Sequence, residues 1–231
     1  LGPIFSKFSA GKYFADSNSW RYFSNAILYI TYYLPGLFES NPLKGTVNGS
    51  LWSLPAEFSM YILTALLGSM GLVFTRQRWC WVGWSVVLVI GLFGRYYLNR
   101  VRMGAPIVFW ATSLTATLDV GVYFFGGAFF ASLGSGFKPN MGIALFALAA
   151  MFVLPIAVLS WIDAFVLPYV VLTIGLARTP VLSAAGRYGD FSYGLYLYAY
   201  PVQQVLCELI GHTYGLTLPL ISGFALTLGL A

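Results

Sequence analysis

Charge is scarce in this sequence. Only 8% of its 231 residues are Asp, Glu, Lys or Arg, against roughly 25% in a soluble globular domain. That shortage excludes a water-facing surface over most of the chain. Histidine is nearly absent, His212 being the single one. The two cysteines, Cys80 and Cys207, lie far apart with no C-x-x-C spacing. Neither a zinc site nor a disulfide framework is signalled, no metal is expected, and both cysteines read as small buried hydrophobes. Polar linkers, low-complexity tracts and repeats of fixed period are also missing, which removes solenoids and weakens an internally duplicated transporter. The net charge of +5 sits in short clusters such as "RQR" and "RVR". Such clusters suit membrane flanks, so nucleic acid is not an expected partner.

What the chain does have is apolar surface: 59% of residues are hydrophobic and 18% aromatic. The lipid bilayer is its expected partner. Apolar runs fall at 50–74, 80–94, 105–133, 141–159, 162–177, 190–210 and 216–231, divided by breaks such as "TRQR", "GSGFKPN" and "ARTP". Lipid forces each run to close its own backbone hydrogen bonds, and the alternation of a barrel strand is lacking, so each predicts a helix. Run 105–133 exceeds one crossing and holds Asp119, which leaves room for a loop. Residues 22–35, "YFSNAILYITYYLP", are too few for a span and predict an interfacial helix. The expected fold is all-α: a polytopic transmembrane bundle of about seven spans plus one interfacial helix. Residues 1–231 read as one domain, with 1–49 extramembrane or interfacial and 50–231 the bundle. Lys and Arg counts favour opposite orientations depending on whether 22–35 crosses, so charge alone does not set the orientation.

Two stretches carry polar groups into apolar surroundings. In "NGSLWSLPAEFSMY", positions 48–61, Ser53 can cap a helix whose first turn holds Pro55, which needs no N–H there. Glu57 then lies near the positive end of the helix dipole, with Tyr61 four residues on along the same face. Glu57 is either a dipole partner beside an interfacial Trp52, or an intramembrane carboxylate facing a cavity. In "GRYGDFSYGLYLYAYPVQQ", positions 186–204, Asp190 or Ser192 can start a helix on which Tyr193, Tyr196, Tyr200 and Gln203 share a face. Such a stripe is polar glue between helices or a site. Pro201 removes one backbone hydrogen bond and frees a carbonyl near Leu197. Glu208 extends the stripe or marks the membrane surface.

These stretches carry a family resemblance. "NGSLWSLPAEFSMYIL" resembles the W-S-L-x-x-E-x-x-x-Y signature of membrane-bound acyltransferase family 3, the O-acetyltransferases of bacterial surface polysaccharides. "GDFSYGLYLYAYPVQQ" resembles that family's late S-Y-G-x-Y-L-x-x-x-P-V helix, and "VYFFGGAFFA" its F-x-x-G-x segment more weakly. Where many members have a histidine in the late helix, this chain has Ala199, so that role is not carried over.

The family's catalytic histidine and the arginine before it lie in a first helix that has no counterpart here, the first residue is not Met, and the C-terminus stops inside the apolar run "ISGFALTLGLA", so both ends read as cut. The resemblance therefore implies an N-terminally truncated member of a ten-helix core, inactive alone. His212, in a Gly-flanked loop, reads as a turn residue. By the same resemblance the protein transfers an acyl group, most simply acetyl, from acyl-CoA to a sugar hydroxyl of a surface polysaccharide or glycolipid at the bacterial inner membrane. Acetyl-CoA is a substrate and no bound cofactor is implied. Glu57 would orient the histidine or relay a proton, and Trp52, Ser53, Tyr61, Tyr193, Tyr196 and Gln203 would line the cavity. Arg178 and Arg187 would meet donor phosphates, unless they are ordinary flank charges. The competing class is a polytopic transporter or flippase, which ion coupling would distinguish; an inert scaffold subunit is the third.

Overall fold

The computed structural model describes residues 2–71, 79–101, 108–109, 112–177, 192–211 and 223. Among these, strand is confined to a short ribbon of Val108–Phe109 (β1) against Thr112–Ser113 (β2), and one isolated bridge between Tyr33 and Thr46. The chain divides into two compact units, Leu1–Leu54 with Tyr188–Ala231, and Pro55–Arg187.

The first unit opens with three short helices, α1 (Gly2–Phe5), α2 (Ala10–Ala15) and α3 (Ser17–Arg21). The side chain of Ser9 caps α2 and that of Asp16 caps α3 by accepting the N–H of Lys12 and Asn18. Each cap satisfies an orphan donor that so short a helix could not otherwise meet. Tyr13, Leu37, Phe38 and Val47 form a buried cluster, against which Phe8, Leu34 and Val205 pack. Gly36 turns the chain at φ +70°, where an added Cβ would also fall 2.9 Å from the Ser6 hydroxyl. Glycine is required there on both counts.

Residues 22–35 do not form the expected interfacial helix. They give a 3₁₀ helix, Tyr22–Ile27, that Leu28 ends in the left-handed region. The reason is local: Ser24 donates to the Tyr29 carbonyl, while the Asn25 amide both donates to the Thr31 carbonyl and accepts the Thr31 N–H. Short polar side chains here take the backbone partners a helix would need.

The second unit is built from apolar helices, α4 (Leu54–Ser69), α5 (Cys80–Arg100), α6 (Leu114–Ser132), α7 (Met141–Met151) and α8 (Ile156–Gly175). Four helical stretches are long and apolar enough to cross a membrane: Gly49–Ser69, which runs a 3₁₀ turn into α4, and α5, α6 and α8. Only 22–28% of each is buried inside the protein, and Leu66, Ile90, Phe93 and Phe146 stand exposed. Helices that are apolar on their uncovered faces are matched to lipid rather than water.

Two expected spans are redrawn. Helix α7 has 11 residues, about 16 Å of helix against a hydrocarbon core of roughly 30 Å. The break falls at Phe152–Pro155: a proline disfavours helical angles at the residue before it, and Pro155 takes the N-cap position of α8. Helix α8 therefore begins at Ile156 rather than 162. The loop allowed for in 105–133 is the ribbon before α6. Run 190–210 becomes α9 (Ser192–Leu206), continued by a π-helical turn, Cys207–Gly211. Of run 216–231 only Gly223 is among the described residues.

Helix α6 packs between α5 and α8. Trp84, Leu88, Leu92, Val122 and Phe125 form the core, with Trp84 and Phe125 stacked at 6.4 Å. At the α6–α8 crossing, an added Cβ on Gly126 would overlap the Ala164 carbonyl oxygen. That carbonyl lacks its helical partner because Pro168, four residues on, has no N–H. A small residue lets the two backbones approach, as in membrane bundles.

Candidate functional site

The two motif-bearing stretches are interlocked within the first unit. Residues 40–53 run opposite in direction to α9 and meet it turn by turn. The Asn48 side chain does two jobs: Oδ1 accepts the Ser50 N–H at 3.0 Å, and Nδ2 donates to the Leu197 carbonyl at 3.0 Å. That is the carbonyl that Pro201 leaves without a helical donor. Gly49 lies against Tyr200, whose ring would stand 2.6 Å from an added Cβ. Tyr196 donates to the Ser50 carbonyl, and Ser53 Oγ lies 2.6 Å from the Tyr196 hydroxyl. A phenol has one proton, so with it given to Ser50 the hydrogen bond between the hydroxyls runs from Ser53 to Tyr196.

One turn farther along, the Asn41 Nδ2 donates to the Gln204 carbonyl and Oε1, both at 2.9 Å, and Gln204 Nε2 donates to the Leu43 and Thr46 carbonyls. Asn41 and Gln204 are almost fully buried, at 1% and 5% exposure. Ser40 reaches the Glu208 carboxylate. The polar stripe is therefore Tyr196, Tyr200 and Gln204 of α9 with Glu208 of the π-helical turn that follows, at four-residue spacing.

This arrangement sorts the sequence-predicted residues. Ser53 and Tyr196 are brought together. Ser53 is not the N-cap: Asn48 caps the 3₁₀ turn Gly49–Ser53 that leads into α4, so the helical start lies earlier and the Ser53 hydroxyl turns to Tyr196. Gln203 is half-buried and its place in the stripe is taken by Gln204. Tyr193 is 59% exposed and Trp52 38%. In the second unit, Glu57 stands half-buried in the first turn of α4, and Tyr61 is exposed with its ring edge-on to Phe124. Arg178, Arg187, Asp190 and His212 lie outside the described residues.

Over 183 residues the chain is 31% identical to a protein of Shigella phage Sf6 named O-acetyl transferase, an alignment covering 74% of this chain and 50% of that protein. The likeness is to an O-acetyl transferase. The chain spans about half the length of that curated relative. No family model matches it, and no solved structure does.

A second polar constellation, in the unit of apolar helices, was missed from sequence. Arg95 of α5 forms a bidentate ion pair with Asp163 of α8, at 2.8 and 3.2 Å, donates also to the Ser160 carbonyl, and shares Asp163 with the Tyr123 hydroxyl at 2.7 Å. The two charged side chains are 8% and 16% exposed. The carboxylate and the carbonyl that fill the guanidinium's fork offset the cost of taking its charge out of water. Residues 68 apart in sequence give no local signal of pairing, and Arg95 reads there as a flank charge.

Proposed function

We propose that this protein is an integral membrane O-acetyltransferase of the acyltransferase family 3 type. It moves an acetyl group from acetyl-CoA to a sugar hydroxyl of a bacterial surface polysaccharide or glycolipid, at the inner membrane. The observation that carries the reading is the 31% identity to a protein named O-acetyl transferase. The interlock of the W-S-L and S-Y-G-x-Y-L stretches through Asn48, Ser53 and Tyr196 and the four membrane-length helices agree with it. In this reading runs 190–210 and 216–231 add two crossings to these four, and α7, at 11 residues, adds none.

The chemistry follows from the reactants. A base takes the proton of the sugar hydroxyl, whose oxygen attacks the thioester carbonyl carbon; donors hold the tetrahedral oxyanion; collapse breaks the C–S bond and the thiolate of coenzyme A takes up a proton. Glu57 orients the base or relays its proton. Trp52, Ser53, Tyr61, Tyr193, Tyr196 and Gln203 line the cavity, and Arg178 and Arg187 meet donor phosphates. In this scheme Ser53 and Tyr196 act as positioning residues, since each holds the other and Tyr196 also holds the Ser50 carbonyl.

The test is to supply acetyl-labelled acetyl-CoA to membranes containing the full-length protein and the surface polysaccharide. Label should enter the polysaccharide as an ester that mild alkali releases. Ion-coupled movement of a solute without ester formation would instead support a transporter.

A further inference from the structure

The first unit holds a concavity whose lining includes neither Glu57 nor the Ser53–Tyr196 pair. A cleft of about 490 Å³ is lined by the polar residues Asp16, Asn18, Arg21 and Thr31, the aromatic Tyr32 and Tyr33, and apolar residues that include Ile30 and Leu34. Its size falls within the roughly 300–1,000 Å³ typical of small-molecule sites.

The polar groups on its wall are only partly used by the protein. Asp16 Oδ1 accepts both the backbone and side-chain N–H of Asn18, which leaves the second carboxylate oxygen as an acceptor. Arg21 is exposed and forms no ion pair among the described residues. The rings of Tyr32 and Tyr33 meet at 84°, so they offer two differently directed aromatic surfaces. The Tyr32 hydroxyl is pushed above the usual phenol range, by burial first and then by the neighbouring phenols of Tyr196 and Tyr33. It is therefore a protonated donor at neutral pH.

The wall is also held in place. Lys7 N–H bonds the Gly36 carbonyl, Ser6 Oγ bonds the Pro35 carbonyl, and the Val47 N–H bonds the Tyr32 carbonyl, one residue before Asn48 of the interlock.

We propose that this cleft binds a saccharide. One cation and one carboxylate give the lining no net charge, which disfavours a phosphate-rich ligand such as coenzyme A. A carboxylate oxygen, an amide and a guanidinium fork supply the alternating acceptors and donors that vicinal hydroxyls pair with. Aromatic rings beside apolar side chains accept the C–H face of a pyranose. The occupant is the acceptor glycan of the proposed transferase, and only that last assignment rests on the functional reading.

The experiment is binding without turnover. Full-length protein in detergent is applied to a printed array of neutral and anionic oligosaccharides, with coenzyme A and inorganic phosphate as competitors. Neutral oligosaccharides should be retained, and neither competitor should displace them. Arg21→Ala and Asn18→Ala should each weaken retention about tenfold or more, as loss of a hydrogen bond to a charged or bidentate partner does. Arg21→Lys should fall between, and Gly127→Ala, in the second unit with open space around an added Cβ, should bind like the parent. Unchanged thermal midpoints show that the variants fold. Absence of retention, displacement by phosphate, or retention indifferent to both alanine variants would overturn the assignment. Binding that holds where acetyl transfer fails leaves the cleft standing and removes the transferase; transfer without binding removes the cleft alone.

Discussion

At the scale of single residues, Asn48 has the most to explain. It caps a helical turn with one atom and with another supplies the hydrogen bond that Pro201 took from Leu197. Asn48→Ala removes both, and should cost about 2–4 kcal/mol, combining a lost cap with a carbonyl left unmet. Asn48→Asp keeps the acceptor but not the donor, so its unfolding midpoint should fall between the parent and the alanine variant; an aspartate as damaging as alanine would mean the cap contributes nothing. That Pro201 frees the Leu197 carbonyl is legible in sequence, because a missing N–H is a local fact. Its partner is 149 residues away and is not. Gln204 shows the same limit: steps of three and of four both keep a side chain on one helix face, and only the buried Asn41 opposite decides that 204, not 203, completes the stripe. Arg95 and Asp163 make a sharper case. Arg95→Ala should destabilise by about 3–5 kcal/mol by stranding a buried carboxylate, while the double variant Arg95→Met, Asp163→Leu should recover much of that loss. A double variant as unstable as the single one, measured by thermal unfolding in detergent, would contradict this.

At the scale of elements, run lengths located the helices well where no proline intervened. The start of α5 was legible to the residue, and α6 emerged from a run already too long for one crossing. The misses share a cause. Proline restricts the residue before it, so Pro155 moved a boundary that hydropathy had placed near 160. Short polar side chains at Ser24 and Asn25 dissolved a helix that composition favoured. Within the second unit, the α6–α8 crossing depends on the absence of a side chain at Gly126. Gly126→Ala should cost about 1–3 kcal/mol by overpacking. Its neighbour Gly127, with nothing within 4 Å of an added Cβ, is the control: Gly127→Ala should be neutral or stabilising by up to about 1 kcal/mol through helix propensity. Equal effects at both positions would show that the close approach is unimportant.

At the scale of the whole molecule, residues 22–35 form no helix long enough to cross a bilayer, so both of its flanks should face the same compartment. With Cys80 and Cys207 replaced by alanine, Ser17→Cys and Lys44→Cys should react with an impermeant maleimide from the same side; labelling from opposite sides would overturn that topology. The proposed part of Glu57 in acetyl transfer is read most directly from alkali-labile acetyl on the surface polysaccharide per unit of membrane protein, compared between the full-length protein and Glu57→Gln. The glutamine variant should show a fall of at least about tenfold with the amount of protein in the membrane unchanged, as loss of an acid, base or orienting group gives. Equal acetylation by the glutamine variant would contradict it and return Glu57 to a partner of the α4 dipole.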